Sequence, residues 1–158
     1  MQGFLHWPRE AARSEEAMFR SILVPIDLAE PDISATALAH AVAMAKQSDG
    51  KVTLVNVVPL MPTGAFDFIP VDLQDDMATK AKVALEERAK AVDLPAGRVS
   101  AEVRVGGVYH EVLDVAEKRG ADLIVIGSHR PAMSTYLLGS NATAIVRHAT
   151  CSVLVIRQ

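Results

Sequence analysis

The sequence predicts an α/β fold in which one parallel sheet carries helices on both faces. Three observations lead there. Apolar, β-branched runs of strand length alternate five times with segments of helical periodicity. The connections between them are short, which calls for right-handed crossovers and a parallel sheet. The run Leu123 to Ile126 is apolar at every position, as in a strand buried on both faces.

Taken in order, Ser21 to Ile26 reads as the first strand, and Ser34 to Lys46 as an alanine-rich helix with Leu38, Val42 and Ala45 on its inner side. Lys51 to Val58 is a second buried strand. Pro59, Pro62, Gly64 and Pro70 then mark a loop, because proline cannot donate to a ladder. Helical spacing returns at Met77, Ala81, Leu85, Ala89 and Val92. Val99 to Val105 alternates, with Ser100, Glu102 and Arg104 opposite its apolar row, which marks a strand wet on one face and hence an edge. A third helix runs from about Val108 to Lys118, with Tyr109, Val112, Leu113 and Ala116 inward, and Gly120 is placed to end it. The fourth strand is expected to stop at Gly127. Gly139-Ser140-Asn141 opens a last helix with Ala142, Ile145, Val146 and Ala149 on one face, Ser140 as its N-cap, and Arg147 and His148 on the solvated side. Cys151 to Arg157 closes the pattern as the other edge. The expected architecture is a flavodoxin-like doubly wound five-stranded parallel sheet of order 3-2-1-4-5.

Composition narrows the function classes. The chain has 158 residues, 50% of them hydrophobic and 22% charged, which suits one globular core. A formal net charge of −3 gives no global attraction to nucleic acid or anionic lipid, so neither is an expected partner. No run approaches the ~20 apolar residues that span a bilayer. The lone Cys151 suits a reducing cytoplasm. Residues 1–18 read as an extension, expected to be flexible, ahead of a domain over residues 19–158. They hold Phe4, Leu5 and Trp7, which could instead form a docking arm.

In a sheet of this order a ligand sits beyond the carboxyl ends of the strands, where the order reverses between the first and fourth. Pro25-Ile26-Asp27 ends the first strand and Gly127 the fourth, so two distant segments are expected to meet. Asp27 could accept hydrogen bonds from a ribose or cap the strand end. A glycine at 127 suits either a tight turn or the close approach of a phosphate. Gly139-Ser140 at a helix start supplies free N–H groups and the positive end of a dipole, an anion site in principle. Gly106-Gly107 could line the same mouth or make a tight turn. Ser128 and His129 are adjacent, which rarely lets nucleophile and base face each other, so they read as loop donors. Ser134 and Thr135 could add further donors.

The stretch from Asp122 to Arg157 resembles the universal stress protein family. Its nucleotide-binding members carry a glycine, two residues, a glycine, nine residues, then glycine and serine or threonine. Gly127, Ser128, His129, Gly139 and Ser140 match. Arg130 stands where the second glycine belongs, and the span from Gly127 to Gly139 is one residue short. The resemblance runs from about Phe19 through Pro25-Ile26-Asp27, Val55-Asn56-Val57 and Val105-Gly106. It implies an ATP-binding regulatory protein, with magnesium arriving on the nucleotide, Asp27 near the nucleoside, and backbone groups of Val57 at the adenine rim. With those residues the implied nucleotide site comprises Pro25, Asp27, Val57, Gly127, Ser128, His129, Arg130, Gly139, Ser140 and Asn141. Arg130, extended by the following Pro131, could grip a phosphate, fill its space, or point into water. The last strand, short and apolar from Ser152 to Ile156, is an unprotected edge and is expected to pair two chains into a homodimer; the resemblance suggests a client such as a transporter. Two alternatives stay open: a dimeric interaction module without nucleotide, and a slow ATPase. There is no lysine-bearing P-loop, no receiver-type acid cluster, and at 4% aromatic residues no walls for a flavin.

Overall fold

The computed structural model describes residues 19–60, 72–128 and 139–157. Five strands, β1 (Ser21–Pro25), β2 (Lys51–Val58), β3 (Val99–Val105), β4 (Leu123–Ser128) and β5 (Ser152–Arg157), alternate with four helices. The helices are α1 (Pro31–Ser48), α2 (Leu73–Lys90), α3 (Val108–Arg119) and α4 (Ser140–His148). All strand pairs are parallel, and the order is β3-β2-β1-β4-β5, as expected.

The core divides along the alternation of β1. Ile22, Val24 and Ile26 face one side with Ala37, Ala41 and Ala45 of α1 and Leu85 of α2. Leu23 faces the other with Val112, Val115 and Ala116 of α3 and Ile145 of α4. Each fully buried Val, Leu or Ile contributes about 1.5–3 kcal/mol, so this two-sided burial outweighs any single polar contact.

Several boundaries move. α1 starts at Pro31, three residues before the expected Ser34, because proline is well tolerated in a first turn and Asp32 favours the positive end of the dipole. Its buried stripe is Ser34, Ala37, Ala41, Ala45 and Ser48, while Leu38 and Val42 are half-buried at its flank. β4 continues through Gly127 to Ser128, paired with Ile156 and Arg157, so Gly127 lies within the strand rather than ending it. Gly139, with φ −56° and ψ 155°, is the N-cap of α4, and Ser140 is its first helical residue. Val146 is 45% exposed rather than inward, since the short α4 buries only Ile145 fully.

β3 is an edge, yet its polar row is not simply wet. The Arg104 guanidinium donates to Glu111 (2.8 Å) and Asp114 (2.7 Å) on α3, and Arg119 donates to Glu102 (2.8 Å). A charge network laid across the strand from α3 leaves Glu102 and Arg104 half-buried. Arg98 makes a second tie, donating to the carbonyls of Gly50 and Ala45 and to the Asp49 carboxylate, each at 2.7 Å. It joins the turn that ends α1, where the Ala45 carbonyl also accepts from the Asp49 and Gly50 N–H groups, to the start of β3. Among the described residues no helix is long and apolar enough to cross a membrane.

Candidate functional site

The sheet opens where the order reverses. β1 pairs with β4 at Ile22–Leu123 and Leu23–Ile124, whereas β4 stays paired with β5 as far as Ser128–Arg157. Pro25 supplies a reason. Ile26 N–H donates to Val55 (2.7 Å) on the β2 side, so by the alternation of a parallel ladder Pro25 faces β4, and it has no N–H to give. The carboxyl ends of β1 and β4 therefore part.

The opening is a cleft of about 820 Å³, within the range of small-molecule sites. Eight of the ten expected residues line it: Pro25, Asp27, Val57, Gly127, Ser128, Gly139, Ser140 and Asn141. His129 and Arg130 lie outside the described residues, as do Ser134 and Thr135. Gly106 and Gly107 are not part of the lining; Gly106, at φ 155°, makes the turn from β3 to α3.

Asp27 shapes the rim. Its Oδ1 accepts from the N–H groups of Ala29 (2.9 Å) and Glu30 (3.3 Å), and its own N–H donates to Ser34 Oγ (2.9 Å). The carboxylate thus holds the turn that leads into α1, the capping role open to it from the start. Asn56 Nδ2 donates to the Ile26 carbonyl (2.9 Å), locking the ends of β1 and β2 together beneath the cleft. Asn56 and Ser34 are buried polar residues that sequence reasoning missed. The signal for Asn56 was a lone amide inside an apolar strand; Ser34 carried none, since its partner depends on the fold.

The two glycines differ. A Cβ on Gly127 would lie 2.2 Å from the Ile33 carbonyl oxygen, so α1 rests directly on β4 and requires glycine there. A Cβ on Gly139, which lines the cleft, would meet no atom of the described residues within 4 Å. The first intrahelical bond at this end is Thr143 N–H to Gly139 (2.9 Å), which leaves the preceding N–H groups of α4 at the mouth. The opposite wall, from α2, is Met77, Lys80, Ala81 and Ala84. Lys80 was not anticipated, since helical spacing alone placed it on the outer face.

Cys151 lies at the start of β5, away from the cleft lining, and burial pushes its thiol up, away from the reactive thiolate. Among the described residues no group of three metal-ligating side chains comes together.

A doubly wound parallel sheet with a helix N-terminus opening on its switch-point cleft defines an α/β protein of the flavodoxin-like type. The chain matches the universal stress protein family over residues 18–157, and it belongs to that family. It is 36% identical over 143 residues to universal stress protein G of Shigella flexneri, covering 89% of this chain and all of that one. Among solved structures it resembles universal stress protein UspA from Lactobacillus plantarum, with TM-score 0.71, 32% identity, and 87% and 97% of the two chains covered. A universal stress protein solved in complex with cAMP shares the fold, with TM-score 0.63, 19% identity, and 88% and 97% covered.

Proposed function

We propose that this protein binds ATP in the β1–β4 cleft and acts as a nucleotide-responsive regulatory protein of the stress response. The observation that carries this reading is the N-terminus of α4. Its N–H groups open on a cleft of about 820 Å³ beside Gly139, whose Cβ position meets no atom of the described residues within 4 Å. The triphosphate would lie there, with Ser140 and Asn141 donating and the adenine toward Val57. Asp27, already holding its turn, would set the ribose end. His129 and Arg130 belong to the same reading as phosphate donors. The family relative solved with cAMP supports an adenine nucleotide as the ligand class. Magnesium would arrive with the nucleotide. A cytoplasmic location and a protein client, such as a transporter, complete the proposal.

Calorimetric titration with ATP, with and without magnesium, tests it. Micromolar affinity corresponds to about 8 kcal/mol, and binding in that range is the expected result. Arg130→Ala should weaken ATP about tenfold to a hundredfold if the guanidinium grips phosphate. Absence of binding by the wild type would replace this reading with that of a nucleotide-free interaction module.

A further inference from the structure

Asn56 uses only one end of its amide to tie β1 to β2. It follows Val52 and Leu54 on the face of β2 that packs under α1 and α2, and it is only 8% exposed. The Ile26 carbonyl can only accept, so the 2.9 Å bond assigns Nδ2 to it and fixes Oδ1 at the opposite end of the amide. Oδ1 has no hydrogen-bond partner among the described residues. Among those residues the one side-chain atom both shielded and unpartnered is Arg88 Nη1, so Oδ1 keeps an opening, and the opening on which Asn56 lies is the cleft. An acceptor so nearly buried and held in one orientation calls for a donor, because its lost hydration is otherwise uncompensated.

The surroundings narrow the kind of donor. Apart from Lys80, the α2 wall of the cleft is apolar, with Met77, Ala81 and Ala84, and Val58 adds to it from β2. Such a wall suits the face of a planar ring. Asn56 directly precedes Val57, where the base of the proposed nucleotide lies, while the ribose falls to Asp27 at the end of β1. We infer that Asn56 is the residue that reads the base, its Oδ1 accepting from the exocyclic 6-amino group of adenine. The inference rests on nucleotide binding in this cleft. A base with a carbonyl at that position, guanine or hypoxanthine, sets acceptor against acceptor and leaves Oδ1 unpaired. The bond to Ile26 gives the discrimination its rigidity, since an amide held at its nitrogen cannot turn over to offer a donor instead.

Calorimetric titration of the full chain with ATP and with inosine triphosphate, which carries a 6-carbonyl where ATP carries the 6-amino group, tests it. The wild type should prefer ATP by about tenfold to a hundredfold. In Asn56→Leu, close in shape and without polar atoms, the preference should shrink to about threefold or less, whatever the change in absolute affinity. A purely structural role for Asn56 would weaken both nucleotides alike, so a preference that survives in the variant overturns the inference. Circular dichroism checks that the variant folds with the Ile26 carbonyl unpaired. If it does not fold, the wild type decides with purine riboside triphosphate, which carries only hydrogen at the 6-position. That nucleotide should bind between the other two, and equal binding of all three overturns the inference. Equal binding of ATP and inosine triphosphate by the wild type likewise overturns it while nucleotide binding stands. Binding of neither removes the nucleotide reading itself and this inference with it.

Discussion

At the residue scale, Gly127 and Gly139 look alike in the motif and do different things. Gly127 is fixed by contact with the Ile33 carbonyl, so Gly127→Ala should cost about 1–3 kcal/mol through forced displacement of α1. Urea unfolding measures this, and an unchanged midpoint would mean that α1 shifts freely. A Cβ at Gly139 meets none of the described residues, so Gly139→Val should cost about 1 kcal/mol as a poorer cap and still abolish ATP binding by filling the phosphate approach. Calorimetry on the folded variant separates the two effects. Both glycines were legible as important in the sequence. Which one serves packing was not, because Ile33 is far from Gly127 in sequence and only the fold brings it there.

At the element scale, long-range side-chain ties hold helix ends that the periodicity alone left loosely bounded. Arg98 ties the end of α1 and the turn after it with three bonds while its side chain is only 22% exposed, so Arg98→Ala should destabilise the chain by about 2 kcal/mol. Thermal or urea denaturation checks it, and a loss near zero would show water replacing the guanidinium without penalty. The α3 network has an acid-side signature. The Lys118 ammonium, through its hydrogen bond and charge and with weaker help from Arg104, holds the Asp114 carboxyl below its ordinary range against the desolvation that opposes it. Its contribution is therefore complete above the ordinary carboxylate pKa and lost as pH falls through the lowered one. Carbon-detected NMR titration should find Asp114 titrating below the unfolded chain, and loss of the depression in Lys118→Met would identify its main cause.

At the scale of the whole molecule, the two sheet edges are treated differently. β3 is overlaid by the charges of Glu102, Arg104, Glu111 and Asp114. β5 carries Val153, Leu154, Val155 and Ile156 in an exposed edge position, with charge only at Arg157. An edge of that kind invites a partner strand, and two-fold pairing of identical edges closes the assembly. We therefore expect a homodimer through β5. Light scattering at micromolar concentration should return twice the chain mass, and a monomer mass would remove the proposal.

The sequence by itself determined the strand and helix order, the 3-2-1-4-5 arrangement and the edge position of β3. Those follow from local apolar periodicity and from the few right-handed ways of winding short connections, whereas the eight cleft residues named in advance came from the switch-point rule and the family resemblance. Tertiary structure alone decided why the sheet opens between β1 and β4, why Gly127 must be glycine, and how Asp27 is engaged by its own turn and by Ser34. It also decided that Asn56 ties β1 to β2 and that Lys80 enters the cleft wall. Each of these depends on a polar group meeting a partner from another element at hydrogen-bond or contact distance. Sub-ångström placement of that kind is set by how the layers pack, not by any pattern along one segment.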